Sequence, residues 1–446
     1  VTADGLRSPD VAAPDVVDVV ALGESMVTFL PTRPGRLADI PSFDRAIGGA
    51  ESNVACALAA AGHTARWVSR VGTDGFGDHL VEEIGSYGVD VSSVRRDPVR
   101  PTGVYFRTAG DRATGALEVA YYRAGSAASA MSTRTVDLTA VRAGRVLHLS
   151  GITAALSADC LRLLRDLTAP RPAHHPLVSF DVNHRRSLWR DPDGPHVLLE
   201  LARGADLVFV GEDEAEEAWG VTGGPSSIRA LLPEPRTLVV KQGSHGATLF
   251  TRTPPPEERP RTDGRGRAGG CPPAAAGVHH RAQPHPTAPA GPRTETPRHA
   301  PDPTPSACEP APVRPMGEPA GEPAAGPTTA HPRQPASAQA RGGQSDTTTF
   351  VPAPTVHVTA AVGAGDAFAA GFLSATLRGL PARDRLRHGH LMAAAALTAP
   401  GDLAIPPRRG HADRLAALDD DAWGRLRLAP GWTDVPDRAE EEVHTP

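Results

Sequence analysis

Lysine is nearly absent from this chain. Among 446 residues Lys and Arg together number 46, yet Lys241 is the only lysine. Any step that needs an ammonium group must therefore use Lys241. The remaining positive charge is guanidinium, which suits planar, two-pronged anion contacts. Cysteine is scarce too. Cys56, Cys160, Cys271 and Cys308 show neither metal-ligand spacing nor the density of a disulfide framework, which fits a reducing compartment. A net charge of −5 gives no basic footprint for nucleic acid. No stretch approaches the ~20 apolar residues of a membrane-spanning helix. Acidic residues and two prolines interrupt the first twenty positions, where a secretory leader needs a continuous apolar run. A cytoplasmic location, with no nucleic-acid or membrane partner, is the expectation.

A different absence divides the chain. Residues 253–349 contain no Leu, Ile, Tyr or Trp and are crowded with Pro, Ala, Gly and Arg. Such a segment cannot bury enough apolar surface to offset its ordering entropy, so it reads as a disordered insertion. Strand-like runs flank it, "TLVVKQGSHGATLF" before and "FVPAPTVHVTA" after. The insertion is thus expected inside one loop of a folded domain made of residues 17–252 and 350–425, with flexible tails at 1–16 and 430–446. Stretching a ~10-residue loop to ~100 residues costs only about 2 kcal/mol of closure entropy, which a domain of this size tolerates.

Within the domain, β-rich runs such as "VVDVVALG", "RVLHLSG", "PLVSFDVN" and "ADLVFVG" alternate with helical stretches such as "SNVACALAAAG" and "SADCLRLLRDLTA". This order predicts an α/β fold with a mostly parallel central sheet flanked by helices on both faces. Ligands of such sheets sit beyond the carboxyl ends of the strands. Residues 24–46 and 102–125 instead alternate with a period near two and lack helical spacing. They are expected to form a small set of strands, a lid over the ligand edge. Tyr105 and Arg107 lie two apart on one of them and so face the same side.

The stretch "AAVGAGDAF", residues 360–368, places Gly363, Ala364 and Gly365 directly before Asp366 at a helix start. An ordinary start uses Ser, Thr, Asp or Asn as its cap. The small residues here suggest instead that something approaches the backbone N–H groups, with a carboxylate beside it.

Two motifs together resemble the ribokinase-like (PfkB) carbohydrate kinases: "IGGAESNVACALAAAGHTARWVSRVGTDGFGDHLVEEI" at 47–84 and "VGAGDAFAAGFLSATLRG" at 362–379. Smaller features, "GGAESN", "TGVYFRT", "LHLSGITAAL" and "DVNHRRSLW", resemble the 2-keto-3-deoxygluconate kinases within that family. The resemblance implies phosphorylation of a sugar hydroxyl by ATP with Mg²⁺, on a helix-flanked sheet with a small β lid. It makes Asp366 the acceptor of the hydroxyl proton and the N–H groups of Gly363, Ala364 and Gly365 an anion hole for the phosphoryl in transfer.

The same resemblance places Gly48, Gly49 and Asn53 at the sugar hydroxyls, although the two glycines also suit a plain turn. Asn183 and Arg185 fall near the nucleotide phosphates and the substrate, and Lys241, Gly243 and Gly246 run along the nucleotide. Asp402 matches a late acid near the sugar, or is simply a turn residue. Tyr105 and Arg107 on the lid would suit a sugar acid, the arginine holding its carboxylate and the tyrosine a hydroxyl. The expected substrate is therefore 2-keto-3-deoxygluconate; a neutral sugar such as fructose or ribose is the alternative. Lid strands pair between subunits in kinases of this kind, so a homo-oligomer built that way stays open.

Two departures stand out. Glu214 matches the family's magnesium-organising glutamate, but Gly211 replaces the asparagine three residues before it. Ala360 and Ala361 stand where the family often has an aspartate and threonine that support the anion hole, so activation by a monovalent cation is not expected. These losses also admit a sugar- or nucleotide-binding protein with reduced catalysis.

Overall fold

Short runs dense in valine become the strands of an eight-stranded sheet, because β-branched side chains pack well on a pleated surface. The computed structural model describes residues 15–33, 35–108, 118–171, 175–189, 193–252, 346–360 and 362–434. Across the sheet the strands run Asp346–Pro352, Gly246–Arg252, Thr237–Lys241, Leu207–Gly211, Leu177–Asp181, Gly144–Ser150, Val17–Leu22 and Ala65–Val68. The last six are mutually parallel, and the first two are antiparallel additions at one edge.

Alternation along each strand feeds two cores. Val20, Val208, Val210, Leu238 and Val240 pack with the helices Ala158–Thr168, Gly194–Arg203 and Gly224–Leu231. Val19, Leu207, Phe209 and Val239 point the other way, toward Ala50–Ala60, Ala364–Leu377 and Ala382–Thr398. Both faces of the sheet are thus covered, as the near-continuous apolar strands require. A third cluster, around Trp67, Leu80 and Ile84, closes the Ala65–Val68 edge.

The lid is a separate four-stranded sheet ordered Phe43–Gly48, Met26–Pro31, Val104–Arg107, Val119–Tyr122. Both stretches expected to supply it do so. The two antiparallel edge strands of the main sheet bracket the long low-complexity segment, with Arg252 directly opposite Asp346 in register.

Two boundaries differ from the sequence reading. Asp346–Thr349 belong to a strand rather than to the insertion: their threonines alternate against Gly246–Arg252, and Arg229 grips the Asp346 carboxylate through two bonds of 2.7 and 2.9 Å. The folded part also runs past residue 425. Arg427–Leu428 pairs with Thr355–Val356, and a 3-10 turn at Trp432–Asp434 brings the Trp432 ring to 5.9 Å from that of His411. The rest of the expected insertion, residues 253–345, lies outside the described residues, as do positions 1–14 and 435–446 of the expected tails.

Candidate active site

The helix Ala364–Leu377 starts without a side-chain cap, from Gly363 in the left-handed region at φ 74°. Two constraints make that glycine necessary. The backbone angle disfavours any Cβ, and a Cβ there would lie 2.2 Å from the Asp402 carbonyl oxygen. The first intrahelical bond runs from the Ala367 N–H to the Gly363 carbonyl at 2.9 Å. The N–H groups of Ala364, Gly365 and Asp366 therefore have no partner within the helix and present its positive end. Gly365 is a milder case, since the nearest atom to a Cβ would be the Lys241 Nζ at 3.6 Å.

Asp366 lies in this first turn. Its carboxylate accepts a 2.9 Å bond from the Asn53 side-chain amide, which comes from the start of the helix Ala50–Ala60. Neither Ser52 nor Asn53 caps that helix. Burial pushes the Asp366 carboxyl up to about 7 from 3.8; the Asn53 bond opposes the rise, Asp181 adds to it, and Lys241 and Arg185 resist it. Desolvation outweighs the helix dipole, which favours the ionised form of a carboxylate in a first turn.

Behind the turn lies an ionic network that sequence reasoning had only half assembled. Lys241, at the end of Thr237–Lys241, places its Nζ 3.1 Å from both oxygens of Asp181, the last residue of Leu177–Asp181. Burial works against its charge, but Asp181 and Glu214 outweigh that and raise its pKa. Glu214 accepts a 2.7 Å bond from the Gly211 N–H, and burial holds its carboxyl above the usual range. With no side chain at Gly211, the glutamate itself completes the cap of its helix. Glu214 lines neither of the two cavities described below. Among the described residues no group of three or more His, Cys, Asp or Glu could hold a metal ion.

Two cavities meet at the Gly363–Asp366 turn. One, of about 150 Å³ beneath the lid, is lined by Gly48, Gly49, Asn53, Tyr105, Arg107, Asn183, Arg185, Gly363, Asp366 and Asp402. The other, of about 560 Å³, is lined by Lys241, Gly243, Gly246, Ala364 and Gly365, and by the apolar Val356, Val358, Phe368 and Leu397. Gly243 and Gly246 have φ of 56° and 142°, and a Cβ on Gly246 would lie 2.3 Å from the Val351 carbonyl oxygen. Asn183 adopts φ 39°, a region asparagine tolerates better than most residues. Every candidate site residue named from the sequence except Glu214 therefore lines one of these two spaces.

The lid pair is engaged differently from expectation. Tyr105 and Arg107 face the cavity together, but both donate to Asp402, at 2.6 and 2.8 Å. Asp402 is thus no mere turn residue. Arg107 has its carboxylate within the protein, whereas Arg185 is exposed and pairs with no acid among the described residues.

Three residues went unnoticed in the sequence. Asp181 is the acid that ends a buried strand otherwise polar only at Ser179, a visible signal. Arg123 lines the cavity beneath the lid and pairs with the buried Glu24, which also accepts a 2.6 Å bond from Ser126. Nothing in local spacing joins Glu24 to Arg123.

Comparison with known proteins agrees with this geometry. The pfkB family carbohydrate kinase model matches residues 17–263 and 335–408. The chain is 32% identical over 238 residues to a 2-dehydro-3-deoxygluconokinase of Thermoproteus tenax, spanning 53% of this chain and 72% of that one. It is 35% identical over 240 residues to the enzyme of that name from Bacillus subtilis (53% and 74%). It is also 31% identical to fructokinase-1 of Oryza sativa over 238 residues (52% and 73%). Among solved structures, a PfkB protein from Polaromonas superposes with a TM-score of 0.59 at 25% identity, covering 90% of this chain and 100% of that one. A sugar kinase from Pyrococcus horikoshii, solved with ATP, shares the fold with a TM-score of 0.59 at 18% identity over 91% and 99% of the two chains. With the uncapped turn at Gly363, the aspartate beside it and the lid already in place, the chain belongs to the PfkB family of carbohydrate kinases.

Proposed function

We propose that this ATP-dependent carbohydrate kinase phosphorylates 2-dehydro-3-deoxygluconate (2-keto-3-deoxygluconate) on its terminal hydroxyl, giving the 6-phosphate. The sugar lies in the cavity under the lid, and the nucleotide lies along Gly243–Gly246 with its phosphates at the Gly363–Gly365 turn. The hydroxyl oxygen attacks the γ-phosphorus as the bond to the β-bridging oxygen breaks, and Asp366 takes the hydroxyl proton. The free N–H groups of the turn hold the phosphoryl oxygens, and Lys241 offsets their charge. Asp366, poised at about 7, is matched to proton transfer at neutral pH.

The observation that carries the acid substrate is Arg185. It stands at the cavity wall with no carboxylate partner among the described residues, while Arg107 and Arg123 are taken by Asp402 and Glu24. A sugar acid supplies the missing anion, and a planar guanidinium suits a carboxylate. The sequence-based assignment of that carboxylate to Arg107 moves accordingly to Arg185. Asn53, with an unpartnered buried Oδ1, offers an acceptor to a sugar hydroxyl.

Magnesium fits as an ion carried mainly by the nucleotide phosphates and water, since Mg²⁺ commonly takes only one or two protein carboxylates. Glu214 and Asp181 are the nearby acids that would orient its shell, and the ion would neutralise β- and γ-phosphate charge. The fructokinase likeness supports a neutral-sugar reading as the second choice. The half-buried aromatic group Phe29, Phe43 and Phe106, with the exposed Tyr122, supports assembly through the lid. An ATP-coupled assay across 2-dehydro-3-deoxygluconate, gluconate, fructose and ribose tests the substrate. Turnover confined to fructose or ribose refutes the sugar-acid assignment, and no turnover on any of them supports the reading of reduced catalysis.

A further inference from the structure

The side chain and the main chain of Asp402 do different things. The side chain reaches the lid: Oδ2 accepts from the Tyr105 hydroxyl at 2.6 Å and Oδ1 from an Arg107 Nη at 2.8 Å, and all three residues are buried. A second lid strand closes on the same point, since a Cβ on Gly48 would lie 2.8 Å from Asp402 Oδ2 and 2.2 Å from the Tyr105 hydroxyl. The main chain reaches the other way. A Cβ on Gly363 would lie 2.2, 3.0 and 3.3 Å from the carbonyl oxygen, carbonyl carbon and Cα of Asp402. One residue therefore touches both the lid and the glycine that opens the anion-binding turn.

Apart from the Asn53 bond to Asp366, that turn has little other support among the described residues. No side chain caps it. The approach to it is tied by the Thr359 and Ala360 N–H groups to the Leu397 carbonyl, at 2.7 and 3.3 Å. Ala360 brings no polar side chain, and Ala361 lies outside the described residues.

We propose that Asp402 is a positioning residue, a strut that fixes the anion-binding turn to the lid, so that the N–H groups of Ala364, Gly365 and Asp366 are aligned only when the lid is down on a sugar. Steric contact makes the link stiff: Gly363 has no room to move toward Asp402, and the Asp402 carboxylate is held by two donors. Closing the lid over a sugar then completes the site that receives the phosphoryl group. Water, which does not hold the lid, meets a misaligned turn. The strut thus directs the γ-phosphoryl to the sugar hydroxyl and away from hydrolysis. The inference rests on the placement of phosphoryl transfer at this turn, but not on which sugar is used.

The test uses the full chain and whichever sugar the wild type turns over, so an error in the substrate leaves it intact. Asp402→Ala and Tyr105→Phe are compared with wild type for kcat, sugar KM, and ADP released with and without sugar. Their thermal unfolding is followed alongside. A misplacement of about 1 Å costs on the order of 100-fold in rate. Asp402→Ala is therefore expected to lose kcat on that scale and to release more ADP per sugar phosphorylated. Tyr105→Phe removes one lid bond and leaves the Gly363 contact, so it should show the same two changes to a smaller extent. It carries the test alone if Asp402→Ala does not fold. A rise in sugar KM with kcat and the ADP-to-product ratio unchanged would overturn the strut and leave Asp402 and Tyr105 as simple sugar ligands.

Discussion

Turnover should fall on the acid side with a midpoint near neutrality, far above that of an ordinary aspartate. The cause is Asp366, whose carboxyl is pushed from 3.8 up to about 7, chiefly by burial. Only the ionised form can accept the hydroxyl proton. If that midpoint is about 7, then about a tenth of the enzyme is competent at pH 6 and about a hundredth at pH 5, giving close to a tenfold loss per pH unit. The neighbours set the direction in which the limb moves. Asn53 donates to the ionised carboxylate and lowers its pKa, so Asn53→Ala should move the limb to higher pH. Asp181 raises it, so Asp181→Asn should move the limb down, helped by a Lys241 freed from its partner. The same shift has a stability consequence. Because the folded pKa is raised, the cost of ionisation is absent below about 3.8, grows as pH rises, and is complete above about 7. Moving the carboxyl that far costs the folded state at most about 4 kcal/mol. Asp366→Asn should thus abolish turnover while raising the unfolding temperature at pH 8 and not at pH 4. The assay is kcat against pH for wild type and the two neighbour variants, with thermal unfolding of Asp366→Asn at both pH values. A limb centred near 4, or limbs of Asn53→Ala and Asp181→Asn that move the same way, would refute the reasoning.

Arg185→Ala should raise the KM for a sugar acid on the order of 100-fold, the loss of one charged hydrogen-bonded pair, and leave KM for a neutral sugar unchanged; equal effects on both would remove the carboxylate role. Gly363→Ala and Gly365→Ala should part company. The first meets both a positive φ and the Asp402 carbonyl and should lower the unfolding temperature together with kcat. The second meets only Lys241 Nζ at ordinary contact distance and should lower kcat with little change in unfolding. Replacing residues 253–345 by a short turn should preserve folding and turnover, because Arg252 and Asp346 are already opposite one another in register. Extending that deletion through Thr348 should destabilise the chain, since it also removes the Asp346 partner of Arg229.

The strands and their two faces were legible because burial on both sides leaves a direct mark: Leu207 to Val210 are all apolar, and odd and even positions serve different cores. The site was legible where its residues sit in local motifs whose chemistry needs them, as with Gly363 before Asp366. It was illegible where the decisive contact joins distant segments. Tyr105 and Asp402 are 297 positions apart and Arg107 and Asp402 295, and no periodicity carries such a pairing. Arg107 therefore looked free to hold a substrate, when the fold had already given it an acid. The raised pKa of Asp366 was illegible for a related reason. Helix position is local and readable, while desolvation depends on everything packed around the group.

The lone lysine gains a reason from the same packing. Its ammonium lies 3.1 Å from the Asp181 carboxylate and 3.6 Å from the place where a Cβ on Gly365 would stand. A compact point charge can serve the carboxylate and a phosphoryl arriving at the Gly365 N–H together; a planar guanidinium, fixed by its fork on Asp181, would project into the space the phosphoryl needs. Asp181, Glu214 and Asp366 surround it with more negative charge than Lys241 and Arg185 offset when all three are ionised. Two of the three respond to this crowding and to burial with raised pKa values, and each arriving group meets a different part of the imbalance. On the proposed reading the nucleotide would bring its own magnesium, and a sugar acid would bring an anion for Arg185. The sugar hydroxyl would bring the proton that Asp366, held near neutrality, is proposed to take.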